Sequence, residues 1–271
     1  GKTFLAEVGG QVAGLPFTSA TATTMTCAGY VGDAVTDLFA PLVRQHGAGR
    51  SRYSCVWIDE IDKKAARAGD TFDVAGRSVQ QGLLRVVGGS TFVTPERRSS
   101  QETQYTFNSD GTMFVMGGAF TELWASLKER HSREPLGFAA GGSKGGAAER
   151  QIRGLLQEHG FIPELIARIG SIVLFPEPSL GDLIEMATAE RGIIWSYSAL
   201  LRNMGTELAV SPAAVRVMAS YALDIRTYAR GIQEAMASLT ERLVFSAVKG
   251  PFVVGGRLMG SIISEMGAPA T

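Results

Sequence analysis

The chain has 271 residues, 45% of them hydrophobic, which is enough to bury one large core and a smaller second one. Lysine plus arginine and aspartate plus glutamate both number 26, so the net charge does not favour binding to nucleic acid or an acidic membrane surface. No apolar run approaches the roughly 20 residues of a membrane-spanning helix, so no transmembrane segment is predicted. Cys27 and Cys55 lie in unrelated contexts, which favours a reduced cytoplasmic protein over a disulfide framework or a zinc site.

The first part of the chain alternates between helical and strand-like patterns. Two apolar runs, at residues 55–58 and 113–116, are short and continuous, as is typical of strands buried on both faces of a parallel sheet. Helical patterns precede, separate and follow them, so an α/β fold with a parallel central sheet is predicted. The predicted elements are helices at 3–12, 33–44 and 78–87, an extended segment from 15 and strands at 55–58 and 113–116.

The second part of the chain is predicted to be mostly helical. Residues 139–148 are rich in glycine and indicate a surface loop. Residues 171–174 are strand-like, and the prolines that follow indicate a domain boundary. We therefore predict a large α/β domain at residues 1–175 and a small helical domain at residues 176–271, with one short strand around residue 207.

Two acidic residues, Asp59 and Glu60, follow the first buried strand. Ligands bind at the carboxyl edge of a parallel sheet, where this strand ends. Magnesium prefers carboxylate and water oxygens, so Asp59 is predicted to hold Mg²⁺ through water and Glu60 to polarise an attacking water. The alternative is an ordinary strand end with two solvated acids.

The residues Gly1, Lys2 and Thr3 equal the last three positions of the phosphate-binding loop G-x-x-x-x-G-K-[ST]. In a complete loop the lysine neutralises the β and γ oxygens of ATP, and the hydroxyl coordinates Mg²⁺. With an acidic strand end further along the chain, this order is that of a Walker-type ATPase. The first five positions of the loop are absent, so further residues are expected upstream.

Several matches in one order make the chain resemble ClpX, the hexameric AAA+ unfoldase of the Clp protease. The resemblance implies a AAA+ P-loop large domain followed by a small, mainly helical domain, with ATP and Mg²⁺ as cofactors. It also implies a homohexamer that unfolds tagged proteins and threads them through a central pore. The matching segments are residues 16–33, 56–63, 78–85, 117–120, 161–168 and 229–232.

The resemblance also assigns roles to particular residues. Tyr30 and Val31, within G-Y-V-G, match the pore loop that grips the substrate polypeptide, although a simple turn is the alternative. Arg168 matches the arginine finger that reaches the nucleotide of a neighbouring subunit. Arg230 matches the sensor arginine that contacts nucleotide from the small domain, and a surface salt bridge is its alternative.

A further match concerns the partner peptidase. Leu136, Gly137 and Phe138 resemble the loop with which the family docks onto ClpP, so a ClpP-type peptidase is an implied partner. A hydrophobic tripeptide on a mobile tether can fill a pocket on a partner ring. A local packing contact within the chain is the alternative.

Some positions depart from the family pattern. Tyr228 stands where the family generally has glycine, and residues 96–99 carry two arginines without the usual histidine. Residues 74–78 differ from the usual second pore loop. These departures leave open a protease-independent remodelling or scaffold protein as the alternative function.

Overall fold

The computed structural model of the protein describes residues 1–26, 33–66, 73–96, 103–133 and 145–267. The chain divides into two compact units, Gly1–Val173 and Leu174–Thr271. The sequence placed the domain boundary two residues later, between residues 175 and 176.

The first unit alternates helices and strands. Its short 3₁₀ helices are Ala22–Thr24, Val35–Phe39 and Ile61–Lys64. Its strands are β1 (Phe17–Thr21), β2 (Met25–Thr26), β3 (Asp33–Ala34), β4 (Cys55–Asp59), β5 (Thr91–Glu96), β6 (Thr103–Asn108) and β7 (Met113–Met116). Its helices are α1 (Lys2–Val12), α2 (Ala40–Ser51), α3 (Asp73–Val87), α4 (Thr121–Arg133), α5 (Gly145–Glu158) and α6 (Pro163–Arg168).

A parallel sheet with the strand order β1-β4-β7 forms the centre of this unit. The middle strand, β4, is buried from Cys55 to Ile58 and becomes partly accessible only at Asp59. Its continuous apolar run is explained by this position, because a central parallel strand packs on both faces. The α/β fold with a parallel sheet, predicted from the sequence, is confirmed.

Helix α1 runs antiparallel to the strands of this sheet. An added Cβ at Gly10 would lie 3.4 Å from Cδ2 of Phe17 and 3.5 Å from Cβ of Cys55. The end of α1 therefore packs on the amino ends of β1 and β4. Its first turn consequently lies at the carboxyl ends of the same strands.

Three predicted elements differ from the structure. The surface loop predicted over residues 139–148 is wrong from residue 145 onward, because α5 begins at Gly145. The helix predicted over residues 33–44 is wrong at its start, because Asp33–Ala34 pairs with β2 and a 3₁₀ helix precedes α2. Proline at the first turn of α2 fits a helix that begins there. The strand-like reading of residues 171–174 is also wrong, since no described strand pairs with these residues and they adopt no regular structure.

The antiparallel hairpin of β5 and β6 was not predicted. The hairpin packs on the rest of the first unit through an aromatic cluster, in which the rings of Phe39 and Phe107 stack with centroids 4.3 Å apart. The ring of Phe92 lies 5.1 Å from that of Phe39. Aromatic contacts of this kind join elements that are far apart in the chain.

The second unit is mainly helical, with one two-stranded parallel sheet, β8–β9. Its core is formed by apolar residues of all its helices, including Leu183, Leu201, Met218, Leu239 and Met259. Within the described ranges no helix is both long enough and apolar enough to cross a membrane. Its elements are α7 (Leu180–Thr188), α8 (Ile193–Asn203), β8 (Thr206–Val210), α9 (Pro212–Asp224), α10 (Ala229–Phe245), β9 (Gly250–Val254) and α11 (Gly256–Glu265).

Candidate active site

Asp59 and Glu60 lie at the carboxyl edge of the parallel sheet. Asp59 is the last residue of β4 and pairs in register with Thr21 at the end of β1. On the other side, Ile58 pairs with Met116, the last residue of β7. Three strand ends thus meet beside the two acids, which is where open α/β sheets bind ligands.

The first turn of α1 contacts this edge directly. The hydroxyl of Thr3 donates a hydrogen bond of 3.0 Å to Oδ2 of Asp59, although 56 positions separate the two residues. Lys2 is the first residue of α1 and precedes Thr3. The start of the helix and the acidic strand end, which the sequence combined only through their order, therefore lie together in the fold.

Glu60 adopts a left-handed backbone conformation, with φ 54° and ψ 34°. Its amide donates a 2.9 Å hydrogen bond to Oδ1 of Asp59, so the two acids are oriented together. Reciprocal backbone bonds fix the turn to the end of β7, from Ile61 N to Gly117 O at 3.0 Å and from Gly117 N to Ile58 O at 2.8 Å. Left-handed non-glycine residues cluster at functional sites because the surrounding structure must hold them there.

The glycines after β7 allow this close approach. An added Cβ at Gly117 would lie under 3.0 Å from the ring of Trp57, and one at Gly118 under 3.0 Å from the carboxylate of Asp62. The amide of Phe120 donates a 3.4 Å hydrogen bond to Oδ2 of Asp62. The G-G-A-F match in the sequence is thus explained by packing against the turn that carries Glu60.

Asp110, Gly111 and Thr112 directly precede β7 in the chain. These residues lie at the opposite edge of the sheet, since the amide of Met113 donates to the carbonyl of Ser54, just before β4. Asp110 there forms an ion pair with Arg52, with 2.6 Å between Nη2 and Oδ2. Only the residues that follow β7 can face the acidic edge in a parallel sheet.

The residues at this edge fit a magnesium triphosphate. A hydroxyl and a carboxylate 3.0 Å apart offer the hard oxygen ligands that Mg²⁺ prefers. The first turn of α1 contains no acidic residue and its N-cap, Gly1, has no side chain, so the helix N-terminus can approach an anion. Lys2 and Thr3 are exposed there.

Arg168 is the last residue of α6, and its side chain is exposed. Its guanidinium lies over Gly88, where an added Cβ would be 2.9 Å from Nη1. This places the charge beside the C-terminal end of α3, which favours a cation.

Gln80 of α3, a residue without a predicted role, joins the segment after Glu60 to the start of α6. It is fully buried, and its Nε2 donates to the carbonyls of Lys64 at 2.8 Å and Gly160 at 3.0 Å. Its Oε1 accepts from the amide of Ile162 at 2.8 Å. A polar residue within the buried face of α3 was the only signal of this role in the sequence.

Arg230 belongs to the second unit. It is the second residue of α10 and is exposed, and its amide donates to the carbonyl of Thr227 at 3.1 Å. Tyr228, the N-cap of this helix, has φ 54° and ψ −126°. Most residues with this backbone conformation are glycines, and glycine is the residue that the family generally has at this position.

Two groups of predicted residues lie outside the described part of the chain. They are the pore-loop residues Tyr30 and Val31, and the docking residues Leu136, Gly137 and Phe138.

Comparison with known proteins identifies the family of this chain. The family model of the AAA domain (Cdc48 subfamily) matches residues 32–172. The chain therefore belongs to the AAA family, and the AAA+ fold predicted from the sequence is confirmed.

Within that family the chain is similar to proteins named ATP-dependent Clp protease ATP-binding subunit ClpX. It is 30% identical to that of Azotobacter vinelandii over 94% of this chain and 61% of the relative. For the protein of Treponema denticola the identity is 30%, over 98% of this chain and 68% of the relative. For ClpX 2 of Wolinella succinogenes it is 31%, over 90% and 63%. The chain thus spans roughly two thirds of the length of these relatives, and its predicted resemblance to ClpX is confirmed.

Proposed function

We propose that the protein is an ATP hydrolase that uses ATP and Mg²⁺ to unfold and translocate other proteins. The observation that carries the proposal is the contact between Thr3 and Asp59, which joins the helix start to the acidic strand end. Similarity to relatives named as the ATP-binding subunit of an ATP-dependent protease supports the same nucleotide.

Each residue at the sheet edge has a distinct part in this proposal. The ammonium of Lys2 neutralises phosphate oxygens, and Thr3 and Asp59 hold the metal directly or through water. The carboxylate of Glu60 polarises a water and accepts its proton as the water attacks. Bound MgATP supplies the γ-phosphoryl group that is transferred to this water.

Two arginines complete the proposed site. Arg168 acts as an arginine finger on the nucleotide of an adjacent subunit, and its exposure at the end of α6 suits that role. Arg230 senses the nucleotide from the small domain, and its exposure at the start of α10 leaves the guanidinium accessible. The role of Arg168 requires an adjacent subunit, and we propose a homohexamer on the basis of the similarity to ClpX.

The mechanical steps rest on the family resemblance. In this proposal Tyr30 and Val31 grip an unfolded or tagged protein in the pore, while Leu136, Gly137 and Phe138 dock a ClpP-type peptidase. The relatives are named as subunits of a Clp protease, which supports the peptidase as a partner. The cytoplasmic location expected from the sequence remains a prediction.

The nucleotide site is tested by replacing the hydroxyl of Thr3. Thr3→Val keeps the shape of the side chain but removes the ligand oxygen, so MgATP should bind at least tenfold more weakly and hydrolysis should fall in parallel. Thr3→Ser, which keeps the hydroxyl, is the matched control and should stay close to the wild type. Equal MgATP affinity in the valine and serine variants would contradict the site.

Unfolding and peptidase docking need separate measurements. ATP-dependent loss of fluorescence from a tagged fluorescent protein reports unfolding without any peptidase. Co-sedimentation with ClpP, compared between wild type and Phe138→Ala, reports docking. Unfolding activity without any ClpP binding would favour the protease-independent remodeller over the protease-linked function.

A further inference from the structure

The short helix that carries Arg168, α6, has few stabilising interactions of its own. Helix α6 contains six residues, and no side chain caps its N-terminus. Helices of this length are unstable in isolation, so their geometry is set by outside contacts. Gln80 fixes the chain just before the helix through the amide of Ile162.

A second polar side chain fixes the other end. Arg153 of α5 donates from Nη1 to the carbonyl of Ile166 at 2.7 Å and from Nη2 to the carbonyl of Ile169 at 2.6 Å. These two carbonyls lie on either side of Arg168 in the chain. Arg153 thus holds the backbone both before and after the proposed arginine finger.

The arrangement around Arg153 is preorganised. Its Nη2 also donates to Oε1 of Glu149, one turn earlier on α5, at 2.7 Å. Its side chain is only 26% exposed, so these charge-assisted bonds are partly shielded from water. A guanidinium donates in several fixed directions, which a lysine ammonium at the same place does not reproduce. The positive charge also suits the carbonyl-rich end of α6.

We propose that Arg153 is a positioning residue for Arg168, acting by fixing the backbone from which the finger extends. This inference rests on the proposed function, because it matters for catalysis only if Arg168 acts on a nucleotide. It predicts that loss of Arg153 impairs turnover while the edge-of-sheet site still binds nucleotide.

The test is a double-mutant cycle on ATP hydrolysis by the protein. Arg168→Ala should lower kcat by about 10³-fold or more. Arg153→Ala should lower kcat by about 10- to 100-fold, as expected when a catalytic group is displaced, with ATP affinity within about threefold of the wild type. Adding Arg153→Ala to Arg168→Ala should cause no further loss, since the first residue acts only through the second.

Control variants separate positioning from folding. Gln157→Ala, an exposed change one turn later on α5, should leave kcat unchanged. Arg153→Lys keeps the charge but not the divergent donors, so its kcat should fall between those of Arg153→Ala and the wild type. If Arg153→Ala fails to fold, Arg153→Lys takes its place in the same cycle.

Two results would overturn the inference while leaving the proposed function intact. One is a kcat equal to that of the wild type in Arg153→Ala, while the kcat of Arg168→Ala is strongly reduced. The other is a full additional loss from Arg153→Ala in the Arg168→Ala background, which would mean that Arg153 acts independently of the finger. A wild-type kcat in Arg168→Ala itself would instead contradict the arginine-finger assignment, and the inference would fall with it.

Discussion

The turn at Glu60 in the first unit and the turn at Tyr228 in the second both place a non-glycine residue at φ 54°. They differ in ψ, which is 34° at Glu60 and −126° at Tyr228. The first lies in the left-handed helical region, which polar residues sometimes occupy, while the second lies in a region that glycine dominates. The strain is therefore expected to be larger at Tyr228.

The two turns are also held in different ways. Glu60 is held by backbone bonds of its neighbours Ile58 and Ile61 to Gly117, and its carboxylate stays exposed at the sheet edge. Tyr228 packs its ring against the core of the second unit, and its amide donates to the carbonyl of Ala222 at 3.0 Å. The exposed carboxylate of Glu60 suits the catalytic role proposed for it, whereas strain at Tyr228 is offset in part by partial burial of its ring.

The largest expected effect comes from removing the chemical group. Glu60→Gln keeps the size of the side chain, so ATP should still bind while kcat falls about 10²- to 10⁴-fold, the usual contribution of a general base. Single-turnover hydrolysis and a nucleotide-binding titration measure the two quantities. Glu207→Gln, the same change at an exposed position of β8, is the control. Normal turnover in Glu60→Gln would mean that the turn holds Glu60 for some other reason.

The next largest effect is expected on stability, from replacing with alanine a glycine that packs closely beside each turn. Gly117→Ala would push a methyl group into the ring of Trp57, and Gly231→Ala would push one into Thr227 and Ala222. Each should lower the unfolding free energy of its own unit by about 1–3 kcal/mol. Hydrogen exchange read separately in β4 and in α9 assigns each loss to its unit.

A third glycine provides the control for this pair. Gly154 lies within α5 with no atom near its would-be Cβ, so Gly154→Ala should stabilise the protein by up to about 1 kcal/mol. Destabilisation by all three alanines alike would show that the close contacts at residues 117 and 231 are not the cause.

The sequence predicted the acidic edge well because its signals are local. An apolar run that ends in Asp59 and Glu60 specifies a buried strand and its carboxyl end within a few residues. The start of α1 was predicted in the same way, from three adjacent residues. Their contact followed from a general property of parallel sheets, in which strand ends and helix starts share one edge.

The features that were missed depend on contacts between distant residues. The bonds of Gln80 to Gly160 and Ile162 cross about 80 positions of the chain, and no local pattern encodes them. The β5–β6 hairpin is joined to the unit through the ring of Phe39 in the same non-local way. The strand-like residues 171–174 show the converse, because local β propensity does not form a strand without a pairing partner.

A smaller effect is expected from replacing Tyr228 and Glu60 with glycine or alanine. Comparing the two replacements at each turn distinguishes the cost of backbone strain from the loss of the side chain. At position 228 glycine should be more stable than alanine by about 1–3 kcal/mol, since both lack the ring and only alanine keeps the strain. At position 60 the same difference should be about 1 kcal/mol. Chemical denaturation of Tyr228→Gly, Tyr228→Ala, Glu60→Gly and Glu60→Ala measures both differences. A lower stability of glycine than of alanine at position 228 would contradict the backbone conformation described for Tyr228.

The smallest effect concerns a helix start that, unlike that of α10, has a side-chain cap. At the start of α7 the amide of Ser179 donates a hydrogen bond to the carboxylate of Asp182, and the hydroxyl of Ser179 donates a second one. These two bonds, the amide bond more than the hydroxyl bond, hold the pKa of Asp182 below its ordinary value. A carboxyl group with a lowered folded pKa stabilises the protein above its unfolded pKa of about 3.9, and this stabilisation is lost as the pH falls through the folded value. Asp182→Asn should therefore reduce stability slightly near neutral pH and not at all in strong acid.

The cap of α9 is the matched control for this pH dependence. Ser211 accepts a 3.2 Å hydrogen bond from the amide of Ala214 and has no carboxylate in its cap. Ser211→Ala should cost about 1 kcal/mol at every pH, because a hydroxyl does not titrate in this range. Unfolding free energies between pH 2 and pH 7 should thus converge with the wild type in acid for Asp182→Asn and remain parallel to it for Ser211→Ala. If the unfolding free energies of both variants ran parallel to that of the wild type, the pKa of Asp182 would be the same in the folded and unfolded protein, and the cap would not stabilise its carboxylate.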